Sequence, residues 1–199
     1  MSPANMSPAM LILIVALILA IGFAVWMYVQ KKRTQDLRSK FGPEYDRAVG
    51  EYRNRGHAES ELQKRAARVA KFSIRPLTAE DRAKYADDWR REQSRFVDDP
   101  RAAVKHADVL VQDVMRTRGY PVGDFDQNAA DLSVDHPRVV ENYRNAHAIA
   151  VRDGQGQAST EDLRKAMVSY RALFEDLLSQ TVEAPEVARR RETPEEVRR

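Results

Sequence analysis

The chain is expected to be all-α, with one N-terminal transmembrane helix followed by a small bundle of four to five helices. Three observations predict this. Residues 10–29 are twenty consecutive positions without a charge. From Phe41 onward the apolar residues recur with helical period, and no run alternates as a half-buried strand would. Capping residues, prolines and glycines stand at the joints between the apolar stripes.

The first element is MLILIVALILAIGFAVWMYV, Met10 to Val29. A helix of that length rises about 30 Å, the thickness of a bilayer's hydrocarbon core. Twelve of its residues are Leu, Ile, Val or Phe, which favours insertion by about 4–7 kcal/mol. Trp26 and Tyr28 stand at its C-terminal end, where amphipathic rings settle among headgroups. A cleavable signal peptide has a basic start, a shorter apolar run and a small-x-small cleavage site. Residues 1–9 carry no Lys or Arg, and the run ends in bulky WMY. An uncleaved anchor is therefore expected.

Charge sets the orientation. Lys31, Lys32, Arg33, Arg38 and Lys40 face only Asp36 in residues 31–40, a net of +4, and residues 1–30 carry no charge. Basic flanks stay in the cytoplasm. This places a short extracytoplasmic N-terminus, residues 1–9, outside the inner membrane and the C-terminal domain in the cytoplasm. The alternative is a C-terminal domain on the extracytoplasmic side. The five cations would also touch anionic lipid, at about 1 kcal/mol each, so the lipid bilayer is an expected partner. The whole chain carries +3, which leaves −1 for residues 41–199. No nucleic-acid partner is expected from that balance. Ala16, Ala20 and Ala24 lie on one face at every fourth position, a spacing that offers close packing to a homodimer.

Phe41-Gly42-Pro43 breaks the helix that leaves the membrane, and Pro43 suits a first helical position. Residues 30–74 then read as a basic juxtamembrane segment and a charged connecting helix, interrupted at Gly56. Ser73 to Leu77 is an extended connector, because Pro76 pushes Arg75 off helical geometry. Thr78 with Asp81 starts the bundle domain, residues 75–180. Asp99 caps the next helix, with Pro100 first inside. Its stripe is Ala103, Val104, Ala107, Leu110, Val111, Val114 and Met115. Arg116 and Arg118 suit its negative end, and Gly119 and Pro121 stop it. Asp124 with Gln127 opens a short helix. Asp135-His136-Pro137 is expected to open and cap another, carrying Tyr143 and Ala146. Ser159 with Asp162 caps the last long helix. Residues 181–199 hold only Val and Ala as apolar residues, so a disordered charged tail is expected.

The words RGYPVGDFDQNAADLSVDHPRVVENYRNAH and ASTEDLRKAM resemble those of a family of bacterial proteins with one N-terminal membrane span. The likeness covers about residues 41–180. It implies an anchored helical domain in a bacterial setting. It implies no activity, ligand or catalytic residue that could be carried over.

Motif chemistry is sparse. The chain has no Cys, which excludes a disulfide framework and cysteine-ligated metals. Its four histidines form no HExxH or Glu-x-x-His pair, and no phosphate-loop, dinucleotide or nucleophile-elbow pattern occurs. No cofactor and no metal site is expected. One polar cluster stands out, DLSVDHPRVVENYRNAH, which brings Asp131, Asp135, His136, Tyr143, Arg144 and His147 close in sequence. Tyr143 and His147 share a helix face. In one pocket these groups could bind an anion or exchange protons. The weightier reading is structural, with Asp135 as a cap, Tyr143 in the core and His147 at its border. Trp89, Phe96, Tyr170 and Phe174 likewise read as interhelical packing rather than a groove. The expected function is a non-enzymatic protein-interaction or scaffold module at the membrane face, with a protein partner. The alternative is a ligand-binding or enzymatic domain built on the polar cluster.

Overall fold

The computed structural model describes residues 8–179, with side chains from residue 12. The expected short N-terminus and disordered tail lie largely or wholly outside the described residues. All eight helices and the absence of strands among the described residues agree with the all-α expectation. The described residues divide into two compact units, one up to Lys64 and one from Arg65 onward, with the division inside the third helix.

In the first unit, α1 (Pro8–Phe41) runs unbroken through the apolar segment and its basic flank. It is 34 residues long, or about 51 Å. Its most apolar stretch is wholly unburied, with a mean hydropathy of 2.8. The large side chains from Ile12 to Val29 are exposed to their surroundings. A core helix would bury that surface against protein. The helix first buries residues beyond it, at Leu37 and Phe41. Gly42, with φ 48°, turns the chain into α2 (Pro43–Tyr52). The next break falls at Arg53, with φ 51°, rather than at Gly56. Asn54 accepts from the His57 amide at 3.0 Å and starts α3 (Arg55–Val69).

One buried carboxylate oxygen ties these three helices together. Glu59 Oε1 accepts from Thr34 Oγ1 of α1 at 2.8 Å, from the Tyr45 hydroxyl of α2 at 2.7 Å and from Arg55 Nε at 3.0 Å. Burial pushes the Glu59 carboxyl up, but the three donors outweigh it and hold it below its ordinary value. A carboxyl held low stabilises the fold fully above its unfolded value, near 4.5. That stabilisation is lost as the pH falls through the lower native value. Glu59→Gln is therefore expected to lower the stability of this unit by about 2 kcal/mol at pH 7. Hydrogen-exchange protection of the α2 and α3 amides measures this. The gap between variant and wild type should close toward pH 3. A gap that is constant with pH refutes the ionic origin.

The second unit is the bundle. Its helices are α4 (Ala79–Asp98), α5 (Pro100–Arg118), α6 (Phe125–Asp135), α7 (Val140–Gly154) and α8 (Thr160–Ser179). α5 packs on both α4 and α8, α8 packs on α7, and the short α6 lies against α7. The caps form as the sequence predicts. Thr78, Asp99 and Asp124 accept from the amides of Asp81, Ala102 and Gln127 at 2.8–3.0 Å. Ser159 and Asp162 cap reciprocally. The predicted stripes meet in one core, in which Trp89 of α4 stacks on Phe174 of α8 at 4.7 Å. Trp89 and Phe174 thus pack as core, with Tyr170 fully buried beside them and Phe96 at the core's edge.

Gly119 ends α5 with φ 95°. The Tyr120 amide then reaches back to the Met115 carbonyl at 3.0 Å, the bond that closes a Schellman turn. The extended connector runs against this end, and the Arg75 amide donates to the Arg118 carbonyl at 2.8 Å.

Candidate functional site

The six residues of the predicted polar cluster do not share one cavity. Asp131 sits fully buried on α6, where Arg68 Nε and Gln127 Nε2 donate to it at 3.0 and 2.8 Å. Asp135 is the last residue of α6 rather than a cap for α7, and it accepts from the Tyr120 hydroxyl at 2.8 Å. The physical reason is that Pro137 delays the new helix. α7 starts only at Val140, with no side-chain cap at Val139. His136 is buried, and its Nδ1 pairs with Asp176 of α8. Arg144 pairs along its own helix with Glu141 at 3.4 Å. These four residues join elements of the bundle or brace their own helix.

Tyr143 and His147 point elsewhere, toward a centre that the sequence does not advertise. Asp108 lies on α5, three residues beyond Lys105 and seven beyond Arg101. Gln112 Nε2 donates to its Oδ2 at 2.8 Å. Its Oδ1 is buried, as is the Tyr170 hydroxyl, and neither completes a hydrogen bond of ordinary geometry with protein. They are nonetheless electrostatic neighbours. Burial pushes the Asp108 carboxyl up, and Tyr170, His147 and Gln112 hold it only partly down. Burial followed by the Asp108 charge pushes the phenols of Tyr170 and Tyr143 far above their ordinary value. The His147 ring stacks on Phe125 at 3.6 Å, nearly parallel.

Asp108 and His147 line a cleft of about 430 Å³ between α5 and α7. Val104, Ala150 and Val151 supply its apolar wall. At its mouth Arg101 Nε pairs with Asp153 at 3.4 Å, and Lys105 stands exposed. The volume falls in the range of small-ligand sites. Arg101, Lys105 and Asp108 share the α5 wall, with the Asp108 Oδ1 atom sealed beneath it. Among the described residues no group of His, Cys, Asp and Glu side chains is placed to hold a metal ion.

A raised carboxyl is stabilising only while protonated. Asp108 contributes fully below its unfolded value near 3.8, and that contribution is lost as the pH rises through the native value. Asp108→Asn is therefore expected to raise the melting temperature at pH 7 and to lose that advantage in acid. Thermal melts of both chains at pH 7 and pH 4 check this. An unchanged or lower midpoint at pH 7 contradicts it.

The basic flank of α1 divides in two. Arg33 Nη2 donates to Gln63 Oε1 at 2.6 Å, and Arg38 pairs with Asp46 at 3.0 Å. Lys40 lies 6.0 Å from the Phe41 ring centroid. Lys31 and Lys32 are exposed. Comparison with protein-family models, curated proteins and solved structures finds no match to the chain.

Proposed function

We propose that the chain is a membrane-anchored, non-enzymatic interaction module, held by α1 in the inner membrane with its bundle on the cytoplasmic side. The observation that carries this reading is the outward apolar surface of α1, which continues without a break into a helix that packs on α2. An anchor that leaves the bilayer as rigid helix hands its position directly to folded protein. Exposed Lys31 and Lys32 supply the cationic side of the orientation argument. The engagement of Asp131, Asp135, His136 and Arg144 in structural pairs supports a non-enzymatic reading over an enzyme that uses all six residues together.

Reporter fusions at the C-terminus of the full chain test the orientation. A reporter active only in the cytoplasm should be on, and one active only outside should be off. The reverse result overturns the cytoplasmic placement. In-membrane crosslinking from exposed bundle positions tests the module itself. A discrete crosslinked band that depends on bundle folding is expected. No specific band from any exposed face contradicts an interaction role.

A further inference from the structure

We infer that Lys64 of α3 joins Lys31 and Lys32 of α1 in one contact surface for anionic phospholipid headgroups. The inference rests on the proposed anchoring by α1, and every residue it uses lies in the first unit. It begins with two side-chain bonds. Thr34 of α1 donates to Glu59 of α3 at 2.8 Å. Arg33, one residue nearer the apolar run, donates to Gln63, one turn farther along α3, at 2.6 Å. α3 therefore runs antiparallel to α1, and from Glu59 to Lys64 it descends toward the apolar end. Leu62, in the same stretch of α3, is fully buried, which keeps this face of the helix packed.

Heights follow from the helical rise of about 1.5 Å per residue. The uncharged run ends at Val29. Lys31 and Lys32 stand about 3–5 Å beyond it and Arg33 about 6 Å, within the roughly 5–8 Å of a headgroup layer. Gln63 shares the Arg33 level, and Lys64 is the next residue toward the bilayer. All three lysines are exposed. Lys31 and Lys32 make no ion pair among the described residues. Lys64 pairs with Glu61 of its own helix at 2.6 Å, a surface pair that a lipid phosphate can replace. Charge alone would give lipid contact to all five cations of the α1 flank. Height and pairing separate them. Arg38 and Lys40 lie about 13–17 Å beyond Val29, farther than the roughly 8 Å over which salt screens a charge. Arg38 also pairs with Asp46 at 3.0 Å. Three flexible ammonium groups at one level, drawn from two helices, suit a layer of laterally mobile phosphates.

The test uses the full chain in vesicles of phosphatidylcholine with about one-fifth phosphatidylglycerol. One lipid or the other carries brominated acyl chains. Trp26 is exposed near the end of the apolar run, and bromine quenches it only from lipids in contact with α1. Trp89 is buried in the bundle core and adds a background common to every mixture. Per molecule, brominated phosphatidylglycerol should quench about threefold more than brominated phosphatidylcholine. Lys31→Gln with Lys32→Gln should lower that ratio to about 1.5, and Lys64→Gln alone to about 2. Arg38→Gln with Lys40→Gln removes the same charge as the first pair and should leave the ratio at about 3. Lys40→Gln alone serves as the same control if loss of the Arg38 pair loosens the fold. A ratio near 1 in the unaltered chain overturns the inference and, with quenching by both lipids intact, leaves the anchor standing. An unchanged ratio in Lys64→Gln overturns it too, as does an equal fall in the Arg38 and Lys40 variants. Quenching by neither lipid would sink the anchor and this inference together.

Discussion

Gly119→Ala is expected to destabilise the bundle by about 3–5 kcal/mol, the largest loss for so small a change. Two effects add. At φ 95° an L side chain is strained, by about 1–2 kcal/mol. The added Cβ would also collide with the Ser73 carbonyl oxygen and sit 3.1 Å from its carbon. Those are backbone atoms, so no side chain can swing away. Either the connector must move, losing the bond from the Arg75 amide to the Arg118 carbonyl, or the Schellman turn must open. Urea or thermal unfolding of the full chain measures the loss. Gly123→Ala is the control, since a Cβ there meets nothing within 4 Å, and its change should stay within about 0.5 kcal/mol. Equal behaviour of the two variants would remove the steric argument.

The second large effect concerns the proposed membrane anchor, α1. Leu17 and Leu19 lie mid-span and are exposed to the surroundings of α1. Arginine at the centre of a membrane helix costs about 2.5–3.5 kcal/mol. Leu17→Arg with Leu19→Arg together therefore cost about 5–7 kcal/mol. That cancels the whole insertion preference estimated from composition. The double variant is expected to leave carbonate-washed membranes and to appear in the soluble or aggregated fraction. Leu17→Ile with Leu19→Ile should stay in the pellet. Full retention of the double-arginine chain would show that α1 is not what holds the protein to the membrane.

Much of the fold was legible because its signals are local. Thr78, Asp99, Asp124 and Ser159 each satisfy an amide three residues on, and a reader of sequence can count three residues. Gly119 needed only its place after an apolar stripe. Asp135 misled because a cap pattern followed by proline looks the same whether a helix begins there or ends. The structure ends α6 at Asp135 and lets Tyr120 claim the carboxylate. The break at Arg53 had no glycine to mark it.

Arg118 shows a different kind of loss. Its position suggests a cation for the end of its own helix. Instead it is buried and donates to the Leu177 carbonyl of α8, 59 residues away, at 2.9 Å. Asp108 is the sharper case. On α5 alone it reads as the polar edge of an apolar stripe. It becomes a buried acceptor only when Tyr170 of α8 and His147 of α7 close around it.

The sequence by itself determined the apolar span, its cationic flank, the helix caps and the core stripes. Each depends on residues within one or two turns, where helical periodicity sets which side chains meet. Only the tertiary structure decided which charged residues lose water. Glu59, Arg118, Asp131 and Asp108 took their roles from partners on other helices, because desolvation is a property of the packed neighbourhood and not of the residue.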